Sequence, residues 1–328
     1  MNHTHLTVAE THTLVTGALQ RSRTAPDNAD AVTHALIAAE LGGQSGHGLR
    51  RVAAYAAQAA SGKVNGYARA IVSRTRPAAF AFDAASGFAY PALDAVFEPL
   101  SLAAREQGIA VAGLRRSHHC GVAGAIVERY AEAGLVALLF ANTPEAMAPW
   151  GSNRPLFGTN PVAFAAPMAN DDPVVIDLSL SKVARGKIMA ADQRGQPIPE
   201  GWALDRDGNP TTDAKAALAG TMIPLGDAKG SALALMIELL AAGLTGANYA
   251  YEATSFFDAS GQPPGVGQMI IAFDPGLFGT ADILARFAEM AGEISGAEGA
   301  RLPGRRRQAL KRDFLVNGFT FEADMIAE

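Results

Sequence analysis

The chain has 328 residues, of which 49% are hydrophobic, and a single cysteine. A chain of this length and composition can bury a large core and is expected to divide into two lobes. Its 27 Lys and Arg against 32 Asp and Glu give a net charge of −5, which argues against binding to the phosphate backbone of nucleic acid. One cysteine excludes an internal disulfide and any multi-cysteine zinc site.

Targeting and membrane segments are not expected. No apolar run approaches the roughly 20 residues that a membrane-spanning helix needs. The segment from Met1 to His5 lacks the basic and then apolar layout of a signal peptide. The sequence therefore predicts a cytoplasmic protein that makes no contact with a membrane.

The N-terminal region is predicted to be helical. Thr7 and Glu10 form a capping-box pattern that begins a first helix, and Pro26 begins a second. A third helix is predicted over about residues 49–60 and ends at Ser61 and Gly62. These helices flank His47.

From about residue 70, short apolar strands alternate with helices, which predicts an α/β protein with a mixed sheet. Strands are predicted at 71–74, 80–82, 109–114, 135–141, 162–166, 174–177 and 269–273, and helices at 93–106, 123–133, 231–244 and 281–294. The helix over 231–244 is apolar nearly all round, so we expect it to be buried. The polar stretch 190–224 is predicted to be an ordered loop because it contains Trp202.

Two adjacent histidines, His118 and His119, lie between a predicted strand and a predicted helix, which is a common place for chemistry in α/β proteins. Imidazole titrates near neutral pH and can transfer a proton, but either ring could instead cap the helix or form a hydrogen bond in the core. A metal site with Cys120 is not expected, because three consecutive residues point in diverging directions. A Cys-His nucleophile pair is disfavoured for the same reason, and we expect Cys120 to fill a small apolar space.

His47 is followed by Arg50 and Arg51 at the start of the third predicted helix. A guanidinium group fits a carboxylate with two parallel hydrogen bonds, so these arginines could anchor an acidic ligand. They could equally be two solvated arginines on a helix. No glycine-rich dinucleotide fingerprint follows a strand, and no phosphate-binding loop of the G-x-x-x-x-G-K-[ST] type is present.

The Ser-x-His-x-Gly motif at Ser117, His119 and Gly121 resembles a motif of the malate/L-lactate dehydrogenase type 2 family of NAD(P)-dependent oxidoreductases. This family includes ureidoglycolate, sulfolactate and cyclic-imino-acid enzymes. Further segments that resemble the family lie in the family's order between about residues 40 and 304, at 47–51, 157–164, 184–187, 199–205 and 229–230. The resemblance implies a homodimer with the sulfolactate/malate dehydrogenase fold, whose nucleotide-binding domain is not of the Rossmann type. Residues 1–115 and 275–328 would form a helical dimerisation and substrate lobe, and 116–274 the NAD(P)-binding domain.

The resemblance also implies roles for the candidate residues. His119 would give a proton to the reacting oxygen or nitrogen, and His47 would orient or polarise the same group. Arg51 matches the family position that binds the substrate carboxylate, and Arg50 beside it falls where the family varies. The chain departs from the family at Gly46, where the family commonly has Ser.

For the cofactor, NAD or NADP, the matching positions are Thr143, Thr159, Asn160, Asp177, Leu178, Ser179, Lys182, Lys229 and Gly230. A basic run from Arg305 to Arg312 is either a solvated helix face or, through Arg305, a contact with a cofactor phosphate. No metal ion is expected.

The expected reaction is hydride transfer between nicotinamide and the carbon α to a carboxylate. It would interconvert a small 2-oxo acid and its 2-hydroxy acid, such as malate or lactate. Two alternatives stay open. The chain could reduce a cyclic 2-imino acid, Δ1-piperideine- or Δ1-pyrroline-2-carboxylate, or it could be a binding protein that keeps the fold without the reaction.

Overall fold

A computed structural model describes residues 3–322 of the chain. Its helices are α1 (Val8–Arg21), α2 (Pro26–Leu41), α3 (Val52–Ser61), α4 (Ala89–Gln107), α5 (Ala123–Glu132), α6 (Arg185–Gln193), α7 (Ala214–Ala219), α8 (Ala228–Ile237), α9 (Ile283–Gly296) and α10 (Arg305–Asn317). Its strands are β1 (His3–Leu6), β2 (Ile71–Arg76), β3 (Ala79–Asp83), β4 (Ile109–Ser117), β5 (Val136–Ala141), β6 (Val162–Met168), β7 (Asp171–Leu178), β8 (Ala203–Leu204), β9 (Pro210–Thr211), β10 (Thr221–Met222), β11 (Val266–Phe273) and β12 (Phe319–Glu322). None of these helices is long and apolar enough to cross a membrane.

A seven-stranded sheet in the order β2-β3-β4-β11-β5-β6-β7 is the centre of the fold. Only β3 and β4 pair in parallel and the other neighbours pair antiparallel, so the predicted mixed α/β sheet is confirmed. Alternate residues of each strand face opposite sides. Leu139 and Ile270 pack in a large apolar core with the N-terminal helices, and Phe140 and Met269 pack in a second core with α6, α7 and α8.

The late strand β11 determines where the strand ends lie. β4 and β5 both pair antiparallel with β11, so they run in the same direction and end at the same edge of the sheet. β6 runs against β5 and begins at this edge, and β7 runs against β6 and ends there. The segments 118–119, 142–143, 159–160 and 179–182 therefore meet along one edge, which we call the site edge.

Most elements form where the sequence predicts them, with local reasons in the chain. Thr7 and Glu10 form the predicted capping box of α1, in which each side chain contacts the other's backbone N–H. Gly62 ends α3 in the left-handed conformation that favours glycine. The polar stretch contains β8, β9, α7 and β10, and Trp202 packs against the second core, as expected for an ordered loop.

The prediction that the helix over 231–244 is buried is wrong. The predicted helix over 231–244 is α8 followed by a wider π-helical segment, Glu238–Gly243, and one of its faces is exposed. Leu233, Leu235 and Leu239 have about half of their surface open to solvent. The strand predicted at 71–74 is confirmed as β2, and it is exposed along its whole length because it lies at the edge of the sheet with one neighbour, β3. Composition alone did not show which apolar elements the fold leaves uncovered.

The predicted division into two lobes stays a prediction. The proposed boundary at residue 115 falls inside β4, and the sheet continues across it through β11. The N-terminal and C-terminal elements are in contact, because β1 pairs antiparallel with β12 and α10 packs on α2. The predicted lobes therefore share one sheet and one large core.

Candidate active site

One face of the third helix supplies half of the candidate site. A short 3₁₀ turn, Leu49–Arg51, leads into α3, so that Arg51, Tyr55 and Gln58 recur at helical spacing on one side. This face is turned toward the site edge, where β4 ends and His118 and His119 follow. Tyr55 and Gln58 are fully buried and Arg51 is half-buried.

His119 is held at both ring nitrogens. Its Nε2 lies 3.1 Å from Nδ1 of His47, and its Nδ1 lies 2.6 Å from the hydroxyl of Tyr55. The Tyr55 hydroxyl also lies 3.2 Å from that of Tyr90. The two imidazoles stack with their centroids 5.1 Å apart. Tyr90, Tyr55, His119 and His47 thus form one continuous row of hydrogen-bonding groups from the core to the site.

The charges around this row favour neutral rings. Burial lowers the pKa of His47 to about 4 and that of His119 well below its usual range, and the nearby Arg51 guanidinium lowers both further. Burial raises the pKa of Tyr55 to about 12, so its hydroxyl stays protonated, and it donates to Nδ1 of His119 or accepts from it according to the tautomer of that ring. A charged imidazole here therefore needs a negative charge that arrives with a ligand.

His118 points away from His119 into a different set of contacts. Its Nε2 lies 2.8 Å from Oε1 of Gln58, and its backbone carbonyl accepts a hydrogen bond of 3.1 Å from Nε2 of Gln268 in β11. Burial lowers the pKa of His118 to about 3. Cys120 is buried in the large core, as the sequence predicts, and burial raises the pKa of its thiol to about 12. Both side chains are buried and support the site through packing, His118 against Gln58 and Cys120 within the large core.

Arg51 is fixed in a way that leaves part of its guanidinium free. Nε donates a 2.7 Å hydrogen bond to the carbonyl of Gly46, and the guanidinium lies 4.3 Å above the ring of Phe257. Nη1 is shielded from solvent and has no hydrogen-bond partner among residues 3–322. A buried guanidinium N–H without an acceptor is unfavourable, so this atom is suited to receive an anionic oxygen. Arg50, by contrast, is exposed.

A loop at 255–259 covers this group and is tied to the end of α3. Nζ of the buried Lys63 donates to the carbonyl of Ser255 at 2.7 Å and to that of Asp258 at 3.0 Å. Nε2 of Gln58 donates 2.9 Å to the carbonyl of Phe256. The Phe256 ring lies 5.2 Å from the rings of both His118 and His119. The loop therefore excludes water from the histidines.

Two of the predicted cofactor residues, Thr143 and Thr159, belong to a short series of hydrogen bonds along the site edge. Thr159 N–H donates 2.9 Å to Oγ1 of Thr143 after β5, and the Thr159 carbonyl accepts from Leu180 N–H at 2.8 Å. The Leu180 carbonyl in turn accepts from Leu225 N–H at 2.7 Å. A Cβ on Gly230 would lie 1.9 Å from the Leu225 carbonyl, so only glycine fits there. The remaining members flank these links, namely Leu178, Ser179, Lys182 and Lys229, of which Leu178, Lys182 and Lys229 are exposed.

Asn160, which follows Thr159, is buried and forms a hydrogen bond with Glu238. Its Nδ2 donates 2.8 Å to Oε1 of Glu238, whose pKa is raised by burial. Asn160 adopts a positive φ of 41°, and its Oδ1 is buried without a hydrogen-bond partner in the described part of the chain. Glu238 begins the π-helical segment, and such segments are frequent at functional sites. The amide oxygen of Asn160 is thus a free acceptor inside the predicted cofactor region.

Of the two remaining predicted cofactor residues, Asp177 lies near the site edge at the end of β7, and Arg305 lies elsewhere. Asp177 accepts a 2.9 Å hydrogen bond from Gly124 N–H at the start of α5, which places it between His119 and the Thr159 region. Arg305 bonds Asp171 at the opposite end of β7, about 20 Å from the site edge by strand length. The structure therefore does not bring Arg305 to the other cofactor candidates within one chain. The basic run instead pairs with acidic groups, including Glu128, Glu132 and Asp172.

Several residues of this site were not found from the sequence. Tyr55 lies four residues after Arg51 on a predicted helix, so helical spacing could have indicated it. Tyr90, Phe256 and Phe257 carry no such pattern, because they reach the site from α4 and from an irregular loop. Glu238 looked like one polar residue in an apolar helix.

The chain is similar to known proteins in sequence and in fold. A sequence model of the malate/L-lactate dehydrogenase family matches residues 6–328. The chain belongs to this family. It is 50% identical to a (2R)-3-sulfolactate dehydrogenase (NADP(+)) of Chromohalobacter salexigens, with 94% of this chain and 92% of that protein covered. It is 42% identical to a Δ1-pyrroline-2-carboxylate/Δ1-piperideine-2-carboxylate reductase of Pseudomonas putida, over 91% of this chain and 88% of the relative.

A solved structure of similar shape is a Δ1-piperideine-2-carboxylate reductase from Pseudomonas syringae pv. tomato. It has a TM-score of 0.94 and 36% sequence identity, over 99% of this chain and 98% of that one. The family resemblance, the fold type and the class of enzyme predicted from the sequence, an NAD(P)-dependent oxidoreductase, are therefore confirmed.

The buried histidines predict how stability depends on pH. An unfolded chain protonates histidine near pH 6.5, whereas the pKa of His118 is lowered to about 3 and that of His47 to about 4. Below pH 6.5 the unfolded state binds more protons, so the free energy of unfolding should fall by roughly 1.4 kcal/mol per pH unit for each such histidine. Urea unfolding at neutral and mildly acidic pH measures this slope. His118→Asn should reduce it, and an equal slope in that variant would contradict the prediction.

Proposed function

We propose that this enzyme transfers hydride between NAD(P) and the carbon α to a carboxylate, interconverting a small 2-oxo acid and its 2-hydroxy acid. The free Nη1 of Arg51, beside the His47 and His119 pair, carries this proposal. The substrate carboxylate would bind Arg51, which Gly46 and Phe257 hold in one orientation. Arg50 is exposed and takes no part in this contact.

For the proton, we propose that His47 contacts the substrate and that His119 acts behind it, the reverse of the expectation from the sequence. Both nitrogens of His119 are already occupied, by His47 and by Tyr55. Nε2 of His47 has no hydrogen-bond partner among residues 3–322, and the residue is half-buried rather than buried. In reduction, Nε2 of a protonated His47 gives its proton to the reacting oxygen or nitrogen, and His47 is left neutral. Oxidation returns the proton to the same atom.

Substrate binding supplies the charge that His47 needs. With Arg51 unpaired, burial and the guanidinium hold His47 neutral. A carboxylate on Arg51 neutralises that cation and adds a negative group nearby, which raises the pKa of His47. His47 therefore takes up its proton when the substrate carboxylate binds. A substrate that lacks a carboxylate would react poorly.

The cofactor, when bound, supplies or accepts the hydride. The residues at the site edge fit a dinucleotide by their chemistry: Thr143 and Thr159 offer hydroxyls, Asn160 an unpartnered buried oxygen, and Lys182 and Lys229 exposed cations. Asp177 joins this group beside α5. For Arg305, we propose a structural role in its ion pair with Asp171 in place of a phosphate contact.

A second substrate class is favoured by the rings of Phe256 and Phe257. They place apolar surface within 5.2 Å of His119 and 4.3 Å of Arg51, suited to the methylene groups of a ring. Reduction of Δ1-piperideine- or Δ1-pyrroline-2-carboxylate is therefore the alternative, and such reductases are among the relatives. Oxidation of NADH and of NADPH with a panel of 2-oxo and cyclic 2-imino acids decides between them. A protein that binds these acids but turns over none would instead be the inactive binding protein.

Arg51→Lys keeps the charge but loses the planar fork, so kcat/KM should fall by about 10-fold or more, mainly through KM. Arg50→Lys is the matched control and should change kcat/KM little, since Arg50 is exposed. Steady-state kinetics on the best substrate of the panel measures both. Equal losses in the two variants would contradict the assignment of the carboxylate to Arg51.

His47→Ala should lower kcat by about 10²- to 10⁴-fold while the affinity for NADPH stays nearly unchanged, because the proton donor is lost and the cofactor residues are intact. NADPH fluorescence titration and steady-state turnover measure the two quantities. His119→Gln keeps a hydrogen-bonding side chain behind His47 and should lose less. A larger loss of kcat in His119→Gln than in His47→Ala would contradict this assignment and favour His119 as the proton donor, as expected from the sequence.

We further propose that the enzyme is a cytoplasmic homodimer that covers the exposed apolar face of α8. That face includes Leu233 and Leu235 and continues to Leu239 in the π-helical segment, and an apolar helix face of this kind commonly marks an interface. Leu239→Asp should give monomers in light scattering at micromolar concentration. Leu102→Asp, at a similarly exposed leucine of α4, is the control and should stay dimeric. A dimer in both variants would place the interface elsewhere.

A further inference from the structure

A cluster of metal-ligating side chains lies outside the active site, between the first two helices. His12 of α1 faces Asp30 and His34 of α2, with one ligand atom from each residue within 4.8 Å of the others. His12 Nε2 lies 3.1 Å from Oδ1 of Asp30, and His34 Nδ1 lies 3.2 Å from Oδ2. The two histidine rings meet edge to face, 4.6 Å apart. The carboxylate thus stands between two imidazoles that come from different helices.

These separations match what one small divalent cation requires. Zinc is bound by imidazole nitrogen and carboxylate oxygen at about 2.0–2.2 Å in a tetrahedron, so two of its ligand atoms are roughly 3.4 Å apart. The two measured contacts, each to a different oxygen of Asp30, lie within a few tenths of an ångström of that value, and one ligand atom from each of the three residues lies within 4.8 Å of the others. Asp30 and His34 are four residues apart and share one face of α2. Both are exposed, which leaves a fourth position for water.

The His12 nitrogen gives a second, independent indication. Nε2 is shielded from solvent, yet it makes no hydrogen bond of acceptable geometry to any residue in 3–322, although Asp30 Oδ1 is near. An imidazole nitrogen without a partner in a shielded position is unfavourable. His34 Nδ1 also lies 3.0 Å from the Asp30 carbonyl, a contact that metal binding at Nδ1 would replace.

We propose that His12, Asp30 and His34 form a binding site for a zinc-class divalent cation, Zn²⁺ or Co²⁺, that links α1 to α2. Two imidazoles and one carboxylate suit this class of ion. Mg²⁺ and Ca²⁺ instead favour sites in which every ligand is oxygen. The ion would cross-link the two helices that open the chain, beside the existing contact of Thr16 with Thr33. This site is separate from the proposed catalysis, and the sequence alone did not indicate it because His12 lies on another helix.

Cobalt provides a direct test because its visible absorption reports four-coordinate nitrogen and oxygen ligation. Tag-free protein is titrated with Co²⁺ and, by calorimetry, with Zn²⁺, and thermal unfolding is recorded with and without Zn²⁺. We expect one ion per chain, a tetrahedral Co²⁺ spectrum and a raised Tm. His12→Ala and Asp30→Asn should each weaken binding at least about tenfold, since they remove a direct ligand. Asp27→Asn, on the same helix outside the cluster, should leave affinity unchanged.

The catalytic histidines could also take up zinc, and the design separates the two sites. Zinc held by His47 and His119 would inhibit turnover and would survive Asp30→Asn. The proposal expects the opposite, that the Co²⁺ spectrum and the rise in Tm disappear in Asp30→Asn and His12→Ala and remain in His47→Ala. Equal affinity in Asp30→Asn and in the native chain, or the lack of any Co²⁺ spectrum and calorimetric heat, would overturn it.

Discussion

The buried contact between Tyr55 and His119 is the constraint on which the active site depends. The Tyr55 hydroxyl stays protonated and occupies Nδ1 of His119, so Nε2 of His119 is directed at His47. The site can then place only one imidazole nitrogen of the pair toward a ligand. Neither ring can charge readily, because both are desolvated near the Arg51 cation. Without a ligand, the site therefore holds a positive charge on Arg51 and has no negative charge that would raise the pKa of His47 or His119.

The insertion of β11 between β4 and β5 brings the other parts to this pair. It is the last strand of the large sheet along the chain, yet it lies at the centre. Because β4 and β5 both run against it, the histidines after β4 and Thr143 after β5 meet at one edge. Gln268 within β11 then ties the His118 backbone in place. Long-range pairing, rather than any local motif, makes the site.

This difference explains how far the sequence could reach. The capping box of α1, the end of α3 at Gly62 and most strands follow from local patterns, and the family segments gave His47, Arg51 and His119. The neighbours of β11 could not be predicted, since strand order depends on contacts far apart in the chain. The exposed face of α8 was missed because an apolar helix can face either a core or a partner. Phe257 and Tyr90 were missed because their contacts arise only through tertiary structure.

The loop with Phe256 and Phe257 connects recognition of the substrate to protection of the chemistry. Phe257 holds the Arg51 guanidinium flat, and Phe256 covers His119, so one short segment acts on both the anchor and the imidazole pair. Lys63 and Gln58 fix the backbone of that segment to α3, which also carries Tyr55. Low polarity around the pair strengthens each electrostatic contact there. A carboxylate on Arg51 can therefore change the protonation of His47, because the apolar rings of Phe256 and Phe257 lower the polarity of the surroundings in which the two charges act.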